Sequence, residues 1–324
     1  MAKSSQIGLH VWLPMAMEGF CRALVKYQCM REHPDLIFWS SVYLNFGKIQ
    51  KEGQSAGNIS SSAGDENESS ETICDIIKID DKFKWWFIGF VEGDGTFIIN
   101  KDGYLEFKVT QSSVDAQILF YIKKQLGFGS VSLQDKNNKT HHFRVRDKNN
   151  LLKIIQIFNG NILTKAKKDQ FKLWLQSFKD KYNFNIQYIE PNNKISLDSA
   201  WLSGFTDAEG CFTSSVLTSK EGKNIVTVRY IISQKDDKKF SQELALLING
   251  YITHIKSYNG YNTVVNFSKL NKILNYLNKY PLKTKKHVSY LRWLEIYDLV
   301  KTKKHITEAG LTKIKKLVKL INKI

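Results

Sequence analysis

Two short segments of the chain place an acidic residue where a helix would end, a position suited to metal chemistry. They read WFIGFVEGDGTF over residues 86–97 and WLSGFTDAEGCF over residues 201–212, with Asp94 and Glu209 at equivalent places. The helix dipole disfavours a carboxylate at the C-terminal end, and two adjacent carboxylates repel each other. A divalent cation would remove both penalties, and Mg²⁺ takes carboxylate, carbonyl and water oxygens as ligands. Such a pair could support metal-assisted hydrolysis of a phosphodiester.

These segments belong to a longer internal repeat, in which the two motifs are offset by 115 residues. Further along the chain, FKVTQ at 107–111 matches YIISQ at 230–234. Later still, the Thr-Lys pair at 164–165 matches the same pair at 284–285. Because both order and approximate spacing are kept, we expect two copies of one supersecondary unit.

Small residues four positions apart indicate how the two motif segments meet. The first segment has Gly89 and Gly93, and the second has Gly204 and Ala208. Glycine inside a helix costs ~1 kcal/mol relative to alanine, so a pair on one helical face indicates two backbones in close approach. We therefore expect the two motif helices to pack on each other along a pseudo-twofold axis, which would bring the two motif carboxylates together.

The elements around the motifs follow the same order in both halves: a helix, a strand pair, a second helix, a second strand pair and closing helices. The first helix is predicted to begin near Asp80 or Asp81, and its partner near Ser196 or Asp198, since these residues are suitable N-caps. Strict alternation over residues 104–110 predicts a strand with one dry face and one wet face.

The charge of the chain is strongly uneven. There are 48 Lys+Arg and 31 Asp+Glu in total, of which residues 1–79 carry 7 and 9, leaving 41 and 22 in residues 80–324. A basic region of this kind indicates a polyanionic partner, because neutralised phosphates release counterions. No segment approaches the ~20 uninterrupted apolar residues of a membrane helix, so we expect no membrane partner.

The segments FIGFVEGDG at 87–95 and LSGFTDAEG at 202–210 resemble the signature of the LAGLIDADG homing endonucleases. The resemblance extends over nearly all of residues 80–300. It implies an α+β fold of two pseudo-twofold-related domains of αββαββα type, at 80–190 and 191–324, whose antiparallel sheets form a DNA-binding saddle. It further implies a monomer that cuts both strands of a duplex of about two turns, or about 20 base pairs.

The same resemblance implies roles for individual residues. Two or three divalent ions, Mg²⁺ by preference, would be shared between Asp94 and Glu209, and the carbonyls of Gly93 and Ala208 would complete the metal shell. Glu92 and Asp207 would be two acids that support the helix interface. Gln111 and Gln234 would belong to the catalytic water network. Lys165 and Lys285 would lie near the scissile phosphate.

The wet faces of the two sheets are the expected DNA-binding surface, since a strand ribbon fits the major groove. Arg144 and Arg146, two apart on one strand face, are the best candidates for guanine contacts. Alternation and the motif alignment together predict these DNA-facing residues: Ile98, Asn100, Tyr104, Glu106, Lys108, Arg144 and Arg146 in the first half, and Thr213, Ser215, Thr227 and Arg229 in the second.

The N-terminal residues 1–79 are expected to be a leader followed by a polar linker at 55–71. Residues 3–19 resemble an internal segment of mitochondrial NADH dehydrogenase subunit 5, and the resemblance stops at Gly19. Such a break is typical of an exon that continues in frame into a group I intron, although an amphipathic targeting helix is an alternative. The exon reading predicts a mitochondrial protein whose target is the intronless allele of that gene.

Two other functions use the same basic scaffold. One is an RNA maturase that assists splicing of its own intron RNA, alone or as a second activity. The other is a non-catalytic DNA-binding regulator. Intact carboxylates at 94 and 209 favour a nuclease over both, because neither alternative requires them.

Overall fold

The structure is a computed structural model that describes residues 79–323, and it contains two copies of one helix and sheet arrangement. The first copy has these elements: α1 (Asp81–Asp94), β1 (Gly95–Ile99), β2 (Leu105–Ser112), α2 (Ala116–Leu126), β3 (Ser130–Asp135), β4 (Thr140–Val145), α3 (Lys148–Phe158) and α4 (Lys165–Tyr182). The second copy has these: α5 (Trp201–Glu209), β5 (Gly210–Thr218), β6 (Asn224–Lys235), α6 (Lys238–Leu247), β7 (Tyr251–Ile255), β8 (Gly260–Asn266), α7 (Asn271–Lys279), α8 (Lys286–Lys301) and α9 (Glu308–Leu320). The leader predicted for residues 1–79 lies outside the described residues, apart from Ile79.

Each copy folds its four strands into one antiparallel sheet. The strand order is β1-β2-β4-β3 in the first copy and β5-β6-β8-β7 in the second, so the repeat in the sequence is a repeat in the topology. The predicted α+β class is therefore confirmed. Both copies end in two helices, and the second adds α9. Within residues 79–323 no helix has the length and apolarity needed to cross a bilayer.

One face of each sheet packs against helices. In the first sheet, Phe97 and Phe107 alternate with the residues of the other face and are at most 3% exposed. The Phe97 ring lies 5.3 Å, centroid to centroid, from that of Trp174 in α4, and Phe212 lies 5.2 Å from Trp293 of α8 in the second copy. The opposite face of each sheet is termed here its open face.

The two motif helices begin differently. Helix α1 starts as predicted, because the Asp80 carboxylate accepts a hydrogen bond from the backbone N–H of Phe83 at 2.9 Å. The predicted start of α5 near Ser196 or Asp198 is wrong, since the helix begins at Trp201. The Ser196 hydroxyl donates to the Asp198 carboxylate at 2.6 Å and accepts from the Asp198 N–H. These two side chains therefore stabilise a local turn instead of capping a helix.

The expected close approach of α1 and α5 is present. A Cβ added to Gly89 would collide with the carbonyl oxygen of Trp201, and one added to Gly204 would collide with that of Trp86. The two collisions are reciprocal, as a pseudo-twofold axis between the helices requires. A bare backbone at these positions lets the helix axes approach more closely than side chains would allow.

This contact predicts that Gly204→Ala destabilises the protein. The added methyl group meets backbone atoms of α1, so the free energy of unfolding should fall by about 1–3 kcal/mol, although alanine in an open helix would gain ~1 kcal/mol. Urea denaturation measures the change. The reverse substitution Ala208→Gly is the control and should cost only ~1 kcal/mol. A Gly204→Ala protein at least as stable as the wild type would contradict the close packing.

Candidate active site

The two motif carboxylates lie at the ends of the crossed helices. Asp94 is the last residue of α1 and Glu209 the last of α5, and both are half-buried. Burial raises the pKa of Asp94. Burial also raises the pKa of Glu209, and the negative charge of Asp94 raises it further. The two acids are therefore close enough to repel each other, in a place where water screens them poorly.

The donor set around the carboxylates fits a hard divalent cation. Carboxylate and backbone carbonyl oxygens are the ligands that Mg²⁺ takes, with water completing the shell. A Cβ on Gly93 would collide with Ala208 and approach Cγ of Glu209 to 3.0 Å, so the missing side chain leaves room for that carboxylate. Within residues 79–323 no cluster of three or more His, Cys, Asp or Glu side chains is arranged to hold a metal. Binding there would therefore depend on these two acids, carbonyls and water.

The two predicted glutamines are not equivalent. Gln111 donates from Nε2 to Oδ2 of Asp94 at 2.6 Å, and this bond lowers the pKa that burial raises. Both Gln234 and Glu209 are described, and no hydrogen bond joins them. A hydrogen bond from this glutamine position to a motif carboxylate is thus present in the first copy and not in the second, so the two carboxylates differ in their surroundings as well as in type.

The two lysines implied by the resemblance have partners other than the motif carboxylates. The ammonium of Lys165 pairs with the carboxylate of Asp169 at 2.6 Å, one turn along α4, and is exposed. Burial lowers the pKa of Lys285, and the negative charge of Asp115 opposes that shift. Neither lysine acts electrostatically on the motif carboxylates. Helical phase decides which lysine of each cluster turns toward the carboxylates, and sequence alignment does not give that phase.

Two neighbouring lysines lie beside the motif carboxylates instead. Lys286 donates from Nζ to the carbonyl of Ala208 at 2.8 Å, and Lys167 donates to the carbonyl of Gly95. Burial lowers the pKa of both lysines, while the negative charges of Asp94 and Glu209 raise it. Two ammonium groups therefore stand beside the carboxylate pair, and one of them binds a carbonyl that was predicted to bind metal.

The second acid of each motif holds the helix pair together. Trp86 donates from Nε1 to Asp207 at 2.8 Å, and Trp201 donates from Nε1 to Glu92 at the same distance. Each bond joins a tryptophan of one motif helix to a carboxylate of the other. Burial raises the pKa of both carboxylates, and the hydrogen bonds that they accept oppose the shift. These contacts fit the structural role implied for both acids.

The same two acids also anchor the segments that carry the inward lysines. Glu92 accepts hydrogen bonds from the backbone N–H groups of residues 163 and 164, at 3.0 and 2.6 Å. Asp207 accepts bonds from the N–H groups of residues 283 and 284, at 2.8 and 3.1 Å, and from the Thr284 hydroxyl. Helices α4 and α8 start directly afterwards. The positions of Lys167 and Lys286 are thereby tied to the helix crossing.

Two further aspartates link the copies, and sequence reasoning missed them. Asp115 of the first copy accepts a hydrogen bond from the N–H of Lys285 at 2.9 Å. Asp237 of the second copy accepts one from the N–H of Lys165 at 3.2 Å. Both aspartates directly precede a helix that follows a strand pair, so the repeat alignment would have paired them, but no local pattern indicates a cross-copy contact.

The open face of the first sheet carries most of the predicted DNA-facing residues. Thr96 pairs with Lys108, and Lys108 with Arg144, so these three residues form a row across the strands. Glu106 lies on this face but is only 5% exposed, since the Arg146 guanidinium covers it with a 2.6 Å ion pair. The expectation that Glu106 faces DNA directly is corrected accordingly: it orients Arg146. The other predicted residues of this sheet are half-buried or exposed: Ile98, Asn100, Tyr104, Lys108, Arg144 and Arg146.

The predicted residues of the second sheet lie on its open face. Thr213 pairs with Arg229, and Ser215 pairs with Thr227, as the alignment requires. The hydroxyls of Ser215 and Thr227 are 2.6 Å apart and hydrogen-bond to each other. Nε of Arg229 is buried without a hydrogen-bond partner, which leaves a donor on this face unsatisfied.

Crossed helices, paired carboxylates and two antiparallel sheets define a duplicated α+β protein with one site on its pseudo-twofold axis. The family model described as LAGLIDADG endonuclease matches residues 87–178 and residues 202–297. The two matches together span more than half of the chain. The chain therefore belongs to the LAGLIDADG endonuclease family.

Individual relatives agree with this assignment. The chain is 55% identical to "Probable intron-encoded endonuclease 4" of Neurospora crassa. The match covers all of this chain but only 59% of the length of that protein. It is 30% identical to "Uncharacterized cox1 intron-2 37.2 kDa protein" of Schizosaccharomyces pombe, over 73% of this chain and 72% of that one. Among solved structures, the I-LtrWI LAGLIDADG homing endonuclease bound to target DNA matches with a TM-score of 0.64 and 24% identity, covering 75% of this chain and 98% of that one. This last likeness is one of fold.

The reciprocal tryptophan bonds predict a measurable loss of stability in Trp201→Phe. The substitution removes the Nε1 donor and leaves the Glu92 carboxylate, which is buried, with one hydrogen bond fewer. Trp174→Phe is the matched control, because Trp174 is also buried but its Nε1 has no partner. The loss of unfolding free energy at Trp201 should exceed the loss at Trp174 by about 1–3 kcal/mol. Equal losses in chemical denaturation would mean that the bond to Glu92 contributes nothing.

Proposed function

We propose that this chain is a site-specific DNA endonuclease that cuts both strands of a duplex by metal-assisted hydrolysis of phosphodiester bonds. The observation that carries the proposal is the meeting of Asp94 and Glu209 at the crossing of α1 and α5, with Lys167 and Lys286 beside them. Two mutually repelling, half-buried acids reduce stability unless a cation binds between them. A duplex with two scissile phosphates would suit a site that lies on a pseudo-twofold axis.

Asp94 and Glu209 would hold the divalent ions, with the carbonyls of Gly93 and Ala208 as further ligands. Bound Mg²⁺ would activate a water and stabilise the leaving oxygen. Gln111, which donates to Asp94, fixes the orientation of that carboxylate and has its carbonyl oxygen free to accept from water. The carboxylate pair must stay ionised to bind metal, and the neighbouring ammonium groups favour the ionised form.

Lys167 and Lys286 would bind and neutralise the phosphate that is attacked. Their ammonium groups now donate to backbone carbonyls at the ends of the motif segments, so a metal ion at Ala208 and the ammonium of Lys286 would compete for one oxygen. A phosphate oxygen offers the displaced ammonium a charged acceptor, which forms a stronger hydrogen bond than a carbonyl does. Metal and phosphate binding would thus support each other.

The DNA would lie across the open faces of both sheets. The exon-like residues 3–19 make the intronless NADH dehydrogenase subunit 5 gene the proposed target, and a mitochondrial group I intron the proposed location of the reading frame. Cleavage of that allele would promote copying of the intron into it. We further propose that one chain suffices as a monomer, since it contains both copies of the motif.

An RNA maturase is the second candidate function. The basic surface suits either nucleic acid, but a maturase has no need for two carboxylates at the end of a helix pair. The nuclease is favoured for that reason, and splicing assistance would be an additional activity of the same surface.

The proposal predicts that Asp94→Asn and Glu209→Gln each abolish cleavage and leave DNA binding nearly intact. Removing one carboxylate removes a metal ligand without altering the open faces, so the cleavage rate should fall at least ~100-fold. The assay is cleavage of intronless subunit 5 DNA with Mg²⁺, beside binding of the same DNA in EDTA. Wild-type protein that binds and leaves every tested duplex uncut in Mg²⁺ or Mn²⁺ would overturn the nuclease assignment.

The inward positions of Lys167 and Lys286 give a separate prediction. Lys167→Met and Lys286→Met should each lower the single-turnover cleavage rate ~100-fold, because an ammonium beside the carboxylate pair is lost. Lys165→Met and Lys285→Met are matched controls, two residues and one residue away in the chain, and should change the rate only a few-fold. The opposite ranking would restore the assignment made from the repeat alignment.

A further inference from the structure

The two open faces differ in chemistry at equivalent places. Counting rows outward from Gly95 and Gly210, the first row beyond the site is Thr96, Lys108 and Arg144 in one sheet. The corresponding row of the other sheet is Cys211, Ile231 and Val264, and Val264 is only 4% exposed because its neighbours cover it. Two cations in the first copy are thus replaced by two aliphatic side chains in the second.

The apolar character continues across the second open face. Tyr251 pairs with Val264 and extends the row to the edge strand, where it is 45% exposed. Further out, Leu217 pairs with Ile225, and they are 59% and 52% exposed. Among the strand residues of this face, Arg229 and Lys235 carry positive charge, and hydroxyl side chains separate the apolar residues. Several aliphatic side chains are thus exposed on a surface that is otherwise suited to DNA. Such exposure indicates that they contact an apolar group of the partner.

The second sheet also reaches further from the site. Strand β1 has five residues and β5 has nine, and the hairpin closes at Asn100 and Tyr104 in the first copy but at Ser219 and Lys223 in the second. Four extra residues at about 3.4 Å each extend that arm by about 14 Å. The rise of duplex DNA is about 3.4 Å per base pair along each strand, so the longer arm would cover about four more base pairs. Leu217 and Ile225 lie in this extension.

We propose a base preference for each sheet: the first sheet reads a guanine-containing half-site through Lys108 and Arg144, and the second sheet reads a longer, thymine-rich half-site through the methyl groups of thymine. The C5-methyl of thymine is the one apolar group that the major groove presents, and aliphatic side chains contact it. Arginine and lysine, in contrast, pair with the O6 and N7 acceptors of guanine. This inference depends on the proposed function, since it assumes that both open faces contact one duplex.

The first test is a binding selection. The full chain in EDTA, which prevents cleavage, is incubated with a pool of duplexes carrying a fully randomised segment, and the bound sequences are read. We expect an asymmetric consensus with one half-site longer and rich in A·T pairs. A consensus with equal length and composition on both sides of its centre would overturn the inference. If no sequence is enriched, the proposed function itself fails.

The second test removes methyl groups from the DNA. Thymine is replaced by uracil in one half-site at a time, which deletes the C5-methyl and keeps base pairing. In the A·T-rich half-site, the loss of each contacted methyl group should weaken binding about three- to fivefold. Binding should not change when uracil replaces thymine in the other half-site. Uracil without effect in the A·T-rich half-site would contradict the methyl contacts.

Variants assign each half-site to its sheet. The double substitution Leu217→Ser, Ile225→Thr should remove the penalty for uracil at the outer positions and leave the salt dependence of binding unchanged, because no charge is lost. Arg144→Ala should relax guanine preference in the shorter half-site and reduce the salt slope by about 1. Leu173→Ser is the control, since Leu173 is 68% exposed on α4, which packs against the covered face. If the double variant keeps the penalty and changes only the sedimentation of the free protein, the apolar patch is a contact between protein copies and the inference is wrong.

Discussion

The fold and the candidate site both depend on the crossing of α1 and α5. Gly89 and Gly204 bring two helix backbones into contact, and the Nε1 groups of Trp86 and Trp201 then reach the acid of the opposite helix. Burying these two acids is unfavourable, as the raised pKa values indicate, and it is tolerated because each accepts at least three hydrogen bonds. A single geometric constraint, the distance between two backbones, thereby sets the separation of the motif carboxylates at the helix ends.

The crossing also determines where positive charge is found. Each interface acid holds the backbone just before a helix of its own copy, and the cross-copy bonds from Asp115 and Asp237 hold the next residue. The first turn of that helix is fixed from two sides before any ligand binds. Long lysine side chains lose much conformational entropy when they are ordered. Anchoring the backbone from which Lys167 and Lys286 extend reduces the part of that entropy loss which phosphate binding must offset.

The parts of the structure that follow from periodicity could be predicted from the sequence. Alternation identified the faces of β2, and the glycine spacing identified the crossing, because both features repeat along one element. The start of α5 could not be predicted, since Ser196 and Asp198 bond to each other instead of to the helix. Nor could the inward lysine be chosen from its cluster, because that choice depends on helical phase and on a neighbour 72 residues away in the chain.

Duplication within one chain explains why the two copies agree at the crossing and differ elsewhere. At the crossing each copy packs against the other, so a change on one side requires a compensating change on the opposite side. A sheet face contacts no equivalent face, and its residues can therefore vary independently: Lys108 in one copy corresponds to Ile231 in the other. A symmetric homodimer would present the same face twice. The two copies also differ inside the site, where Gln111 hydrogen-bonds to Asp94 and Gln234 forms no hydrogen bond with Glu209.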